Sequence, residues 1–159
     1  MRKFIVAALV IAAPASVGQT ASDPASNGFQ FRPYSEVDTV LAKPQPGRTL
    51  STAMVSDHHD KGYYVEFVRR FNSDNDAEVH TEWADQITIV GGEGVLTYGG
   101  TVSNPRKMSA TEIRGDGQVG ATTKKLSAGD YMLIPPGLPH TFDAARGKTL
   151  TYVIFKVRP

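Results

Sequence analysis

Hydrophobic and polar positions alternate in steps of two over most of the chain. In "YYVEFVRRF", residues 63 to 71, Tyr64, Glu66, Val68 and Arg70 share one face, while Tyr63, Val65, Phe67, Arg69 and Phe71 take the other. "RTLSTAMVS", residues 48 to 56, alternates apolar with small polar residues. "DQITIV" and "GVLTY" form two further runs, with "GGEG" between them reading as a tight turn between antiparallel strands. β-Branched and aromatic residues fill "DYMLIP" and "TLTYVIFKV". With turn signals roughly every ten residues, this pattern predicts an all-β sandwich or barrel.

Two stretches depart from that period. "SEVDTVLAK", residues 35 to 43, sets Ser35 three positions before Asp38 and ahead of Val40 and Leu41. That resembles a capping box and predicts a short helix, ended by "KPQPG". Residues 99 to 120 contain few apolar side chains and predict a long hairpin excursion, serving as a lid or an interface loop.

The N-terminus has its own signature. Arg2 and Lys3 precede the apolar run "FIVAALVIAA", residues 4 to 13, and small residues follow it. This is the pattern of a secretory signal peptide, with cleavage after Ala15, Gly18 or Ala21. The apolar run falls short of the about 20 residues that a spanning helix needs. The expected organisation is a signal at residues 1 to 21, a leader with a short helix at 22 to 47, and one β-barrel domain at 48 to 159. The mature protein is expected in a periplasm or outside the cell.

Composition narrows the chemistry. The chain has 159 residues, enough for one domain with its own core, and a formal net charge of +1. That charge gives no reason to propose a nucleic acid or an anionic membrane as partner. With no cysteine, disulfides, thiolate nucleophiles and Cys-ligated zinc are excluded. No Ser-His-Asp order, phosphate loop or dinucleotide fingerprint is present.

The most specific stretch is "GDYMLIPPGLPH", residues 129 to 140, in which Gly129, Pro135, Gly137 and His140 follow the order G-x5-P-x-G-x2-H. The proline ends a strand ladder for want of an N–H, and the glycine permits the turn back. This run resembles the second sequence motif of the cupin family. The first cupin motif, G-x5-H-x-H, three or four residues, Glu, six residues, Gly, is matched in altered form. His80 takes the first histidine, Glu82 stands for the second, Gln86 stands for the glutamate, and Asp74 replaces the opening glycine. The resemblance covers roughly residues 62 to 158 and is strongest to small exported single-domain cupins. It implies a jelly-roll barrel, the double-stranded β-helix, with a metal near the base of a pocket open at one end. A homodimer is implied by analogy, since cupins often dimerise through sheet faces.

Counting from His80 puts Gln86 at the glutamate position; counting back from Gly92 puts Asp85 there. Neighbours on a strand face opposite sides, so only one can point inward. Gln86 is preferred, because an unbroken strand gives it the parity of His80 and Glu82. The expected ligands of a divalent Mn, Fe or Zn ion are therefore His80, Glu82, Gln86 and His140. Glu82 is also the candidate general base, and a surface carboxylate is its bland alternative. "SDHHD", residues 56 to 60, reads as a solvated loop, Trp83 as filling core or interface space, and Arg69, Arg70 and Arg114 as an exposed face. The functional expectation is a metal-dependent lyase, isomerase or oxygenase acting on a small metabolite. The alternative is a non-catalytic module that binds a small molecule or a metal.

Overall fold

A computed structural model describes residues 29–73 and 76–159. The expected signal peptide, residues 1 to 21, and Asp74 lie outside the described residues. One helix, α1 (Tyr34–Val40), precedes twelve strands: β1 (Leu50–His58), β2 (Tyr63–Arg70), β3 (Ala77–His80), β4 (Ala84–Tyr98), β5 (Thr101–Val102), β6 (Arg106–Lys107), β7 (Glu112–Gly115), β8 (Gln118–Val119), β9 (Thr122–Ser127), β10 (Tyr131–Ile134), β11 (His140–Ala144) and β12 (Leu150–Val157). The main sheet runs β1-β2-β12-β4-β11-β3-β7-β6, and β9 and β10 also pair with β4.

The long strand β4 joins the two halves of the barrel. Its first part pairs with β10 and β12, and its second part pairs with β9 and β11. "GGEG" is therefore not the tight turn its composition suggested; the strand continues through it. The register against β12 slips between Thr151 and Tyr152, leaving Val90 as an extra residue. Gly92 sits beside this bulge at φ +80°, and a Cβ there would lie 1.8 Å from the Thr149 carbonyl oxygen. The bulge reverses the inward parity of β4. Ile87 and Ile89 are buried before it, and Leu96 is buried after it.

Leu50, Val68, Ile87, Ile89, Leu96, Phe142, Leu150, Tyr152 and Ile154 belong to the main core. The face of β2 that bears Tyr64, Glu66, Val68 and Arg70 looks inward, so Arg70 is buried and not surface-exposed as expected. A second cluster of Val37, Leu41 and Ala53, with Phe67 against it, seats α1 on the outside of β1 and β2. The expected capping box does not form. Pro33 occupies the cap position with no side-chain bond, and Asp38 instead pairs with Arg69 Nη2 at 2.7 Å.

Residues 99 to 120 are an ordered excursion built of two small ladders, β5 with β8 and β6 with β7. Gln118 anchors it to the outer side of β11, accepting from Thr141 Oγ1 at 2.9 Å. Pairing of β7 with β3 sets Arg114 opposite Glu78. The excursion thus supplies a side chain to the barrel interior. Among the described residues, no helix is long and apolar enough to cross a membrane.

Candidate metal centre

At one end of the barrel, β3, β4 and β11 bring four donors together. Glu78 and His80 share parity on β3, and Glu78 stands directly opposite His140 on β11. Asp85 enters from the start of β4, where its register partners are the buried Ile134 and Lys156. Asp85 Oδ2 lies 3.6 Å from both His80 Nε2 and His140 Nε2. Glu78 lies 3.9 Å from His80 Nε2 and 3.7 Å from His140 Nε2. The two imidazole rings are 5.4 Å apart between centroids.

These separations are too long for hydrogen bonds. His140 Nδ1 donates to the Leu138 carbonyl at 2.9 Å, so in the neutral ring the lone pair is on Nε2, the atom that faces the carboxylates. Burial, reinforced by the nearby Lys156 charge, pushes the His80 imidazole down to about 3. At neutral pH that ring is uncharged and its contacts with Glu78 and Asp85 are not ion pairs. The uncharged His80 nitrogen, His140 Nε2 and the carboxyl groups of Glu78 and Asp85 therefore face one another. Donors about 2.1 Å from a tetrahedral ion stand roughly 3.4 Å from one another. The observed spacings are slightly wider than that edge; Glu78, His80 and His140 form a group that could hold a metal ion, with Asp85 beside the two histidines.

A shell of cations surrounds the carboxylates. Arg114 Nη2 holds Glu78 at 2.8 Å while its other nitrogens hold Asp76 at 2.8 Å and Glu112 at 2.6 Å. Arg70 lies 3.6 Å from Glu78 and donates to the Tyr152 hydroxyl at 3.0 Å. Burial alone would raise the Glu78 carboxyl, but His140, Arg114, Arg70 and His80 outweigh it and hold the group at about 2. Asp85 shows the opposite balance. Burial raises it, and Lys156 and His140 only partly offset that effect. Lys156 Nζ pairs with Asp85 Oδ1 at 3.1 Å.

Aromatic rings lie beside this end of the barrel. His59 stacks on Tyr64 at 4.1 Å, Trp83 meets both edge-on, and the Arg158 guanidinium lies 4.7 Å from the Trp83 ring. Tyr64 pairs in register with Lys156 on the inward face. Burial, then Glu66 and Asp85, push its phenol well above the ordinary value, so it stays neutral. The "SDHHD" stretch is thus not wholly a solvated loop. A separate cavity of about 480 Å³ is lined in part by Arg48, Asp76, Arg106 and Arg114, and none of the four donors lines it.

Of the four sequence-expected ligands, the structure brings His80 and His140 together and leaves Glu82 and Gln86 out. Glu82 is half exposed and pairs with Arg158 at 3.5 Å. It therefore does not face the centre as a ligand or as a base. Gln86 pairs across the ladder with Leu133 and Phe155, both exposed, and so faces outward. The physical reason is that the strand breaks between His80 and Ala84, so parity is not carried from one side to the other. Glu78 was missed, although the family spacing finds it. Counting back from Gly92 gives Asp85, then His80 as the second histidine, and Glu78 in place of the first.

Neither a family model nor a curated protein sequence matches the chain. Solved structures do match in fold. The cupin domain of Schizosaccharomyces pombe Cnp3 superposes at a TM-score of 0.51 and 10% identity, covering 70% of this chain and 66% of that one. A conserved protein with a double-stranded β-helix domain from Klebsiella pneumoniae gives 0.51 and 18% identity, covering 77% and 86%. Streptomyces PAC13, solved with uridine, gives 0.51 and 10% identity, covering 76% and 78%. The chain has the cupin fold.

Proposed function

We propose that this chain is an exported cupin that binds one divalent ion, Mn, Fe or Zn, through Glu78, His80, Asp85 and His140, and takes a small-molecule ligand beside it. The observation that supports this is the convergence of two imidazole nitrogens and two carboxylates, buried and with no hydrogen bonds among them. Imidazole and carboxylate together suit these borderline-to-hard cations. Arg114 and Arg70 orient Glu78 and Lys156 holds Asp85, which is the supporting role that partners of metal ligands play. Export rests on the charged start, the short apolar run and the small residues of the N-terminal segment.

When bound, such an ion supplies Lewis acidity toward a carbonyl or carboxylate oxygen, the chemistry of lyases and isomerases that act on small metabolites. Oxygenase chemistry needs a redox-active metal with open positions, and four protein donors leave fewer of these than three do. A second reading, a non-catalytic binding module, is favoured by one observation: Glu82, the expected base, faces solvent.

Elemental analysis of protein purified without chelators, and after reconstitution with Mn, Fe and Zn, tests the proposal. One ion per chain in the wild type, lost in His140→Ala and Asp85→Asn, is the expected result. Negligible metal in all three proteins under every condition refutes it. Turnover of a metabolite panel by the loaded protein then separates the two readings.

A further inference from the structure

A cavity of about 340 Å³ lies between the excursion of residues 99 to 120 and the outer side of the barrel. The barrel lends it Thr97 from β4 and Thr141 and Asp143 from β11. Thr97 and Thr141 stand directly opposite each other across the ladder. On β11 the inward positions are His140, Phe142 and Ala144, so Thr141 and Asp143 point away from the core. The excursion lends Ser103, Asp116 and Gln118, along with a glycine. All six of these side chains carry an oxygen. No lysine, arginine or histidine lines the cavity, and no aliphatic or aromatic side chain does either.

Asp143 is the residue that this arrangement leaves unsatisfied. Its Oδ1 is sealed from solvent and accepts no hydrogen bond. Lys125 stands in the same cross-strand row, beyond Val95, yet makes no ion pair with it among the described residues. A carboxylate oxygen taken out of water without a partner is costly. Its neighbours have acceptor capacity to spare and no charge to offer. The Thr141 hydroxyl donates to Gln118 Oε1 at 2.9 Å, which leaves its own lone pairs free. Gln118 Nε2 donates to the Gly99 carbonyl at 2.8 Å, which fixes the amide with its oxygen toward Thr141. Asp116 is already partly neutralised, accepting from Arg106 at 2.6 Å and from Asn104 at 3.1 Å.

We infer that this cavity is a second cation site, outside the barrel, and that it takes the hard divalent ion Ca²⁺ with Asp143 as its principal charged ligand. The inference goes beyond the barrel centre and does not depend on it. Ca²⁺ accepts about six to eight oxygen donors in irregular geometry, waters among them, and the cavity has room for such waters. Zinc and iron favour imidazole or thiolate, and neither is present here. An organic ammonium would need apolar side chains against its carbon skeleton, and the lining has none. Two carboxylates, one of them shared with Arg106, make a weak site, in the range of about 10⁻⁴–10⁻³ M seen for calcium sites of extracellular modules. The ion ties Ser103, Asp116 and Gln118 of the excursion to β4 and β11. It thereby steadies the segment that carries Arg114 to Glu78.

Calcium calorimetry and thermal unfolding of the chelator-treated full chain test this, with Ca²⁺ at about 10 mM, tenfold above the weak end of that range. In the wild type one Ca²⁺ binds per chain, and the unfolding midpoint rises by about 3 °C or more. Asp143→Asn keeps the shape and removes the charge. Without Ca²⁺ this variant is as stable as the wild type or more so, because the unpartnered carboxylate is gone. Its Ca²⁺ affinity falls at least tenfold, so with Ca²⁺ the wild type becomes the more stable of the two. Asp116→Asn, at an exposed position, lowers the affinity at least threefold and decides the matter should Asp143→Asn not fold. Asp85→Asn, in the barrel, leaves the Ca²⁺ response unchanged. A merely structural Asp143 would leave its Asn variant less stable by the same amount with and without Ca²⁺, and that outcome overturns the proposal. So does a wild type that takes up no Ca²⁺, an affinity within twofold of wild type in Asp143→Asn or, where that variant does not fold, in Asp116→Asn, or a Ca²⁺ response that Asp85→Asn abolishes.

Discussion

Glu78→Gln isolates the charge of the central carboxylate with little change in shape. In the metal-free protein this side chain lies 2.8 Å from Arg114 and 3.6 Å from Arg70. Its carboxyl is lowered from 4.5 to about 2, burial being more than offset by His140, Arg114, Arg70 and His80. At ~1.4 kcal/mol per unit, that depression corresponds to about 3 kcal/mol of stability. The figure agrees with the about 3–5 kcal/mol lost when one partner of a buried ion pair is removed. The sign follows from the lowered value. The stabilisation is fully present above the unfolded carboxyl's 4.5 and is lost as pH falls through about 2. Urea unfolding of chelator-treated wild type and Glu78→Gln should therefore differ by about 3 kcal/mol at neutral pH, and by roughly half that near pH 3. A gap below about 1 kcal/mol at neutral pH, or the same gap at both pH values, would show that Glu78 is not held by these charges.

Glu82→Ala and Gln86→Ala should each leave metal content unchanged and alter stability by less than about 0.5 kcal/mol, as expected for substitutions away from buried networks; loss of metal in either would restore the unbroken-strand register. Gly92→Ala should destabilise the protein by at least about 2 kcal/mol in urea unfolding, because a side chain at positive φ is strained and its Cβ would collide with the Thr149 carbonyl.

The fold was largely legible because its signals are local. Period-two alternation depends on which side chains the two faces bury; β2, β10 and β12 fall within the runs named for it, and β1 runs two residues past its own. The Gly129–His140 motif is also local: a proline that stops a ladder and a glycine at φ +81° set the turn that delivers His140. What composition hid was the continuity of β4. A glycine cluster marks a turn in most hairpins, but here it lets one strand bend at a bulge and pass between the two halves of the barrel. Telling the two apart requires knowing that β12 lies alongside, which is a tertiary fact. The excursion at residues 99 to 120 was placed correctly as a departure from the strand rhythm. Its contribution of Arg114 to Glu78 depends on β7 pairing with β3, which local sequence does not specify.

The site could have been read further by choosing a different starting point for the count. Histidine chemistry tolerates many backbone positions, so counting forward from His80 carries any irregularity in the strand straight into the assignment. Gly92 is different, because its backbone conformation and the approach of Thr149 exclude a Cβ. A count anchored there gives Asp85, His80 and Glu78 in turn, and the structure brings the three together. The inward rows hold a second signal. Tyr152, Ile154 and Lys156 share parity on β12, Asp85 shares it with Ile87 and Ile89 on β4, and Glu66 and Arg70 share it with Val68 on β2. Charged residues on otherwise apolar parity cost burial energy that solvent-facing ones do not. Their gathering around one donor set ties that cost to the site. Such mismatches can be found from alternation alone, before any ligand spacing is assumed.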